Sequence, residues 1–130
     1  MTDIHSEALD REIEDEGQRI FRDRLMPGDA VVVTGAARGF GRAIARRLAR
    51  DGARLAIWDI VEEDGQRTVD LCREAGAKDA TFFACDMGDA AKIASAAAAV
   101  REKFGTIYAV VNNAGIHPRS PALTVPLEMW

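Results

Sequence analysis

Three consecutive valines, Val31-Val32-Val33, run straight into Thr34-Gly35. A short unbroken apolar run bounded by turn residues suits a parallel strand covered on both faces. From Asp29 onward such runs alternate with longer amphipathic stretches. The pattern predicts a strand over 30–33 and a helix over about 40–50, stopped by Asp51-Gly52. A second strand over 54–58 ends at Asp59, and a helix over 62–75 is stopped by Gly76. A third strand over 80–84 ends at Cys85-Asp86, and a third helix over about 89–104 is closed by Gly105. In that helix Ile93, Ala97, Val100 and Phe104 recur on one face. A fourth strand over 107–111 runs into Asn112-Asn113-Ala114-Gly115.

Strand–helix alternation with short loops means parallel strands joined by right-handed crossovers. The expectation is a doubly wound α/β sheet of four strands and three helices over residues 27–130, preceded by a charged extension over 1–26. In that extension Leu9 and Ile13, and Phe21 and Leu25, have helical spacing, but Gly17 and an acidic run interrupt it. It reads as a frayed extension or a surplus leader, with a docking arm as the alternative. At the other end Thr124 looks like a helix cap with Pro126 in the first turn, leaving about one turn of helix. The fourth strand would then be an apolar parallel edge. An incomplete domain, from a truncated product or a longer protein, is the expectation.

Composition narrows the classes. At 130 residues and 48% hydrophobic content the chain is one globular domain's worth. A net charge of −4 with no basic cluster argues against a nucleic-acid partner. Arg42, Arg46, Arg47 and Arg50 share one helix and read as its solvated face. Cys72 and Cys85 fit neither a metal spacing nor a disulfide framework and read as reduced thiols. His5 and His117 stand far apart with no ligand set around them, so no metal is expected. No apolar run is long enough to cross a membrane, and the acidic N-terminus is no signal peptide. The expectation is a soluble, cytoplasmic chain.

In a doubly wound sheet, ligands sit at the carboxyl ends of the strands. Gly35 to Gly41, Asp59, Asp86 and Asn112 to Gly115 all fall there. Gly35 lets the chain leave the first strand in a tight turn. Gly39 and Gly41 would clear the approach of a diphosphate, and Ala37, Arg38 and Phe40 share that turn. The following helix aims its free N–H groups at the anion. The spacing is neither Gly-x-Gly-x-x-Gly, since Ile44 stands at the third glycine, nor a P-loop. Asp59, with Ile60 beside it, sits where a carboxylate can accept both ribose hydroxyls and repel a 2′-phosphate. NAD is therefore expected over NADP. Asp59 as N-cap of the next helix is the plainer alternative.

Thr34-Gly35-x-x-x-Gly39-x-Gly41 resembles the cofactor turn of the short-chain dehydrogenase/reductase family, a Rossmann-type group, and the resemblance covers most of residues 29–130. Cys85-Asp86-Met87 is similar to the family's Asp after the third strand, which implies that Asp86 and Met87 help to hold the adenine. Asn112-Asn113-Ala114-Gly115 matches the family's Asn-Asn-Ala-Gly, implying that Asn113, Ala114 and Gly115 steady the sheet and line the dinucleotide cleft. Phe104-Gly105-Thr106-Ile107 fits the usual lead-in, while Tyr108 departs from a common Asp.

The resemblance implies hydride transfer between a nicotinamide and an alcohol or carbonyl substrate. In the family a Tyr acts as acid or base, helped by a Lys four residues on, a Ser and an Asn. None of these is matched: the sole tyrosine, Tyr108, is followed four residues on by Asn112. Lys78, Lys92 and Lys103 lie in the adenine half, and Ser120 precedes the family's serine strand. No catalytic residue is therefore assigned, and the chain alone should be inactive. The first reading is the cofactor-binding portion of an NAD-dependent oxidoreductase. The alternatives are a non-catalytic NAD-binding or interaction module, or an unstable truncated product. The family's tetramers pair through later helices, so a homo-oligomer of this chain would be a different assembly.

Overall fold

The computed structural model describes residues 24–117, 121 and 123–129. Four strands, β1 (Ala30–Thr34), β2 (Arg54–Asp59), β3 (Asp79–Ala84) and β4 (Ile107–Val111), alternate with α1 (Gly39–Arg50), α2 (Glu62–Ala75) and α3 (Ala90–Phe104). All pairings are parallel, in the order β3-β2-β1-β4. The chain winds outward from β1 through β2 to β3 and then crosses to the far side of β1. The strand order therefore reverses between β1 and β4, which opens a crevice at their carboxyl ends.

Every residue of β1 is buried, as its apolar run requires. One face sends Val31, Val33, Leu55 and Ile57 against Ala45 and Ala49 of α1 and Val69 and Cys72 of α2. The other face packs Ala30, Val32, Ala56 and Trp58 against Ala96, Val100 and Phe104 of α3. Burying one such Leu, Ile or Val contributes about 1.5–3 kcal/mol, so the two faces supply most of the drive to fold. Small residues on the helices let them approach the sheet closely. The indole Nε1 of Trp58 is buried with no hydrogen-bond partner among the described residues.

Element ends follow local chemistry. Asp89 is the N-cap of α3, its Oδ1 accepting from the N–H groups of Ala91 (3.0 Å) and Lys92 (3.2 Å). Gly76 closes α2 in the left-handed region at φ 114°. β4 pairs with β1 with a register shift, Ala30 facing Ile107 and Val31 facing Ala109, so Tyr108 is the extra residue of a bulge. Its hydroxyl donates to the carbonyl of Arg24 at 3.3 Å. β4 has no second neighbour among the described residues, and Val110 is 52% exposed.

The tail differs from its sequence pattern. Among the described residues only a 3₁₀ turn, Leu127–Met129, forms there, and the Thr124 hydroxyl is engaged elsewhere. Both the N–H (3.0 Å) and the hydroxyl (3.4 Å) of Thr124 donate to the carbonyl of Pro121. A local turn captured the hydroxyl, and Pro126 precedes the helical residues rather than joining them. The proposed helical spacing in the extension lies mostly outside the described residues, apart from Leu25, which packs against the core. Among the described residues no helix is long and apolar enough to cross a membrane. Cys72 and Cys85 are buried free thiols.

Candidate functional site

The site is assembled from backbone turns at four strand ends, and Thr34 ties two of them together. Its buried hydroxyl donates to the carbonyl of Val111 (3.3 Å) and accepts from the N–H groups of Asn113 and Ala114, both at 3.0 Å. Asn113 answers with its side-chain amide, donating to the carbonyls of Thr34 (3.0 Å) and Gly35 (3.2 Å). The end of β1 and the segment after β4 are thus one hydrogen-bonded unit. Gly35, at φ 62°, fits because a Cβ there would lie 2.8 Å from the Cα of Ala114.

The other two glycines of the motif turn out to do different things. A Cβ on Gly41 would collide with the carbonyl oxygen of Gly35, so its bareness serves the packing of α1 onto the turn. The expectation that Gly41 clears a ligand's path is corrected: the chain itself occupies that space. Gly39, at φ 56°, has nothing within 4 Å of its Cβ position and faces open space. It begins α1, whose N-cap, Arg38, makes no side-chain capping bond. The first N–H groups of the helix thus have no side-chain acceptor at the cap, the kind of helix start at which an anion can be held.

Asp59 is held by three backbone donors. Oδ2 accepts from Ala37 N–H at 2.9 Å, and Oδ1 accepts from Ile60 (2.8 Å) and Val61 (3.1 Å). It is not the N-cap of α2, which is Val61 without a side-chain cap. A carboxylate offers about four lone-pair sites, so the remaining one lies on Oδ2. In this geometry Asp59 has room for one further donor rather than two.

Arg42 corrects a second expectation. Arg46, Arg47 and Arg50 are exposed, but Arg42 is partly buried and works as a brace. Its Nε donates to Thr68 Oγ1 (2.9 Å), and its Nη2 to the carbonyls of Ala37 (2.5 Å) and Asp64 (3.2 Å). The peptide of Ala37 is consequently gripped on both sides, through its N–H by Asp59 and through its C=O by Arg42. Thr68 and Thr34 are given no role in the sequence reading, and Arg42 figures there only as part of a solvated helix face. Thr34 stood within the motif, whereas nothing in local spacing marks Arg42 or Thr68, which meet across two helices.

These turns enclose a crevice of about 640 Å³. That lies within the range of small-molecule sites, about 300–1,000 Å³. Gly35, Arg38, Asp59, Ile60, Asp86, Met87, Asn113, Ala114 and Gly115 line it, together with Val61, Cys85, Gly88 and Ile116, which the sequence did not indicate. Ala37 and Gly41 are buried beneath the turn, and Phe40 stands 84% exposed at the start of α1. These three and Gly39 are absent from the crevice lining. Asp86 Oδ1 accepts from Gly88 N–H at 2.8 Å, which shapes the turn after β3. Burial first, then the carboxylates of Asp86 and Asp89, push the Cys85 thiol up, so it is a poor nucleophile. Among the described residues no cluster of His, Cys, Asp and Glu is arranged to hold a metal ion.

The open approach at Gly39, the uncapped helix start and the pinned carboxylate at the second strand end fit an elongated ligand with an anionic middle and a ribose. The family model described as short chain dehydrogenase matches residues 29–130. The chain is 40% identical over 109 residues to D-threitol dehydrogenase of Mycolicibacterium smegmatis, covering 83% of this chain and 41% of that protein. It is 35% identical over 102 residues to epidermal retinol dehydrogenase 2 of Homo sapiens, covering 78% of this chain and 33% of that one. A solved short chain dehydrogenase from Mycobacterium thermoresistibile superposes with a TM-score of 0.70 at 32% identity, over 78% of this chain and 39% of that structure. The chain thus spans well under half the length of these relatives.

Proposed function

From the membership of this chain in the short-chain dehydrogenase family, we propose that it is the cofactor-binding portion of an NAD-dependent oxidoreductase. When bound, the nicotinamide would supply the hydride donor or acceptor for an alcohol or carbonyl substrate. The chain's own residues bind and orient. The N-terminus of α1 takes the diphosphate, Asp59 a ribose hydroxyl, and Asp86 with Met87 the adenine end, while Asn113 to Gly115 wall the cleft. The carrying observation is Asp59, a carboxylate pinned by three N–H groups at the crevice. A fixed negative charge there opposes a 2′-phosphate, which favours NAD over NADP.

Proton transfer to the substrate needs an acid or base within hydrogen-bond reach. The one tyrosine, Tyr108, instead meets the carbonyl of Arg24 and does not line the crevice. The Ser, Tyr and Lys set is therefore assigned to sequence outside this chain, and substrate chemistry belongs to the complete form. The same observation favours the second reading, a non-catalytic NAD-binding module, and a cytoplasmic setting suits both. Calorimetric titration of the chain with NAD and NADP is the test. Tighter NAD binding is expected; equal or tighter NADP binding overturns the cofactor assignment, and binding of neither overturns the dinucleotide reading. The intact mass of the protein from its source cells separates the two readings: a longer species supports the oxidoreductase.

A further inference from the structure

Among the described residues Arg38 is the only basic one lining the crevice, and it has a partner that the sequence did not suggest. Its Nε lies 3.6 Å from Oδ2 of Asp64, in the first turn of α2. The other oxygen of the same carboxylate lies 3.9 Å from Nη2 of Arg42. Arg42 does not depend on that contact, because Thr68 and two backbone carbonyls hold it. Arg38 does, since Asp64 is its only ion-pair partner among the described residues. A carboxylate in the first helical turn already has a role, because it complements the helix dipole. The dipole does not account for a guanidinium drawn from the neighbouring turn onto that carboxylate.

We propose that Asp64 is a specificity-positioning residue that acts through Arg38. By engaging the Arg38 guanidinium, it withholds from a 2′-phosphate the one cation that the described lining offers to offset Asp59. Discrimination against NADP is then a product of two carboxylates, one that repels and one that sequesters. The inference rests on the dinucleotide reading above and adds a regulator of its selectivity.

The pair is largely exposed, with Arg38 at 71% and Asp64 at 39%, so the effect is modest. An exposed ion pair shifts binding by about two- to fivefold. The test is a cycle of wild type, Asp64→Asn, Arg38→Gln and the double variant, each titrated calorimetrically with NAD and NADP at low salt. Asp64→Asn should raise NADP affinity relative to NAD by that factor, and the gain should vanish in the Arg38→Gln background. Arg38→Gln alone should leave the ratio within about twofold of wild type, since its charge is already engaged. This second arm keeps the test decisive if Asp64→Asn does not fold. The proposal is overturned by an unchanged ratio in Asp64→Asn, by an equal gain without Arg38, or by a large loss of NADP binding in Arg38→Gln. If wild type binds neither dinucleotide, the reading beneath it falls too.

Discussion

Position 34 carries a hydroxyl where the strand alone asks only for a β-branched residue. Replacing it tests how much the site depends on that one oxygen. Thr34→Val keeps the shape but strips the acceptor from the Ala114 N–H and one of two acceptors from the Asn113 N–H, which also donates to the carbonyl of Val111. A loss of about 1–3 kcal/mol in urea unfolding is expected. The glycines separate in the same assay. Gly39→Ala meets no atom and costs only the left-handed backbone, about 1 kcal/mol. Gly41→Ala must displace the carbonyl of Gly35 and costs about 3 kcal/mol. Turn residues such as Gly35 and Asp59 were legible in the sequence because part of their constraint is local, the left-handed backbone of Gly35 and the bonds of Asp59 to Ile60 and Val61. Arg42 and Thr68 were not, because their pairing depends on how α1 and α2 lie against each other. The division of labour between Gly39 and Gly41 was hidden for the same reason.

Among the elements, α2 and β4 run as the apolar periodicity indicates, and the other boundaries shift by about one residue. Capping and turn chemistry made these ends readable, as with Asp89 and Gly76. The tail misled because Thr124 has two local uses for its hydroxyl, and the turn with Pro121 won. Cys72 offers a test of how firmly α2 is seated. Burial in the core pushes its thiol up from 9.0 to about 11. Between those values the unfolded chain has released the proton while the folded chain still holds it. Stability should therefore fall as pH rises from 9 toward 11. Cys72→Ala should flatten part of that slope when denaturant midpoints are compared across the range.

For the molecule as a whole, the alternation of strands and helices made the parallel, doubly wound architecture legible. The order β3-β2-β1-β4 and the bulge at Tyr108 come from packing over long sequence separations. The crevice lining draws on the ends of all four strands, so a ligand seated across it would tie them together. Saturating NAD at about 100 times its Kd should therefore stabilise the fold by about 2.7 kcal/mol, read as a rise in Tm. NADP at the same concentration should raise Tm less.

The Thr34 hydroxyl also sets which parts of the molecule open together. The amides of Asn113 and Ala114 lie beyond the end of β4, which has no second neighbour among the described residues, and exchange with solvent deuterium would ordinarily be quick there. Because both donate to an atom on the fully buried β1, they should exchange only when the middle of the sheet opens. The wall of the crevice then belongs to the slowest cooperative unit of the fold. A ligand would meet a surface already ordered, and little conformational entropy would be lost on its arrival.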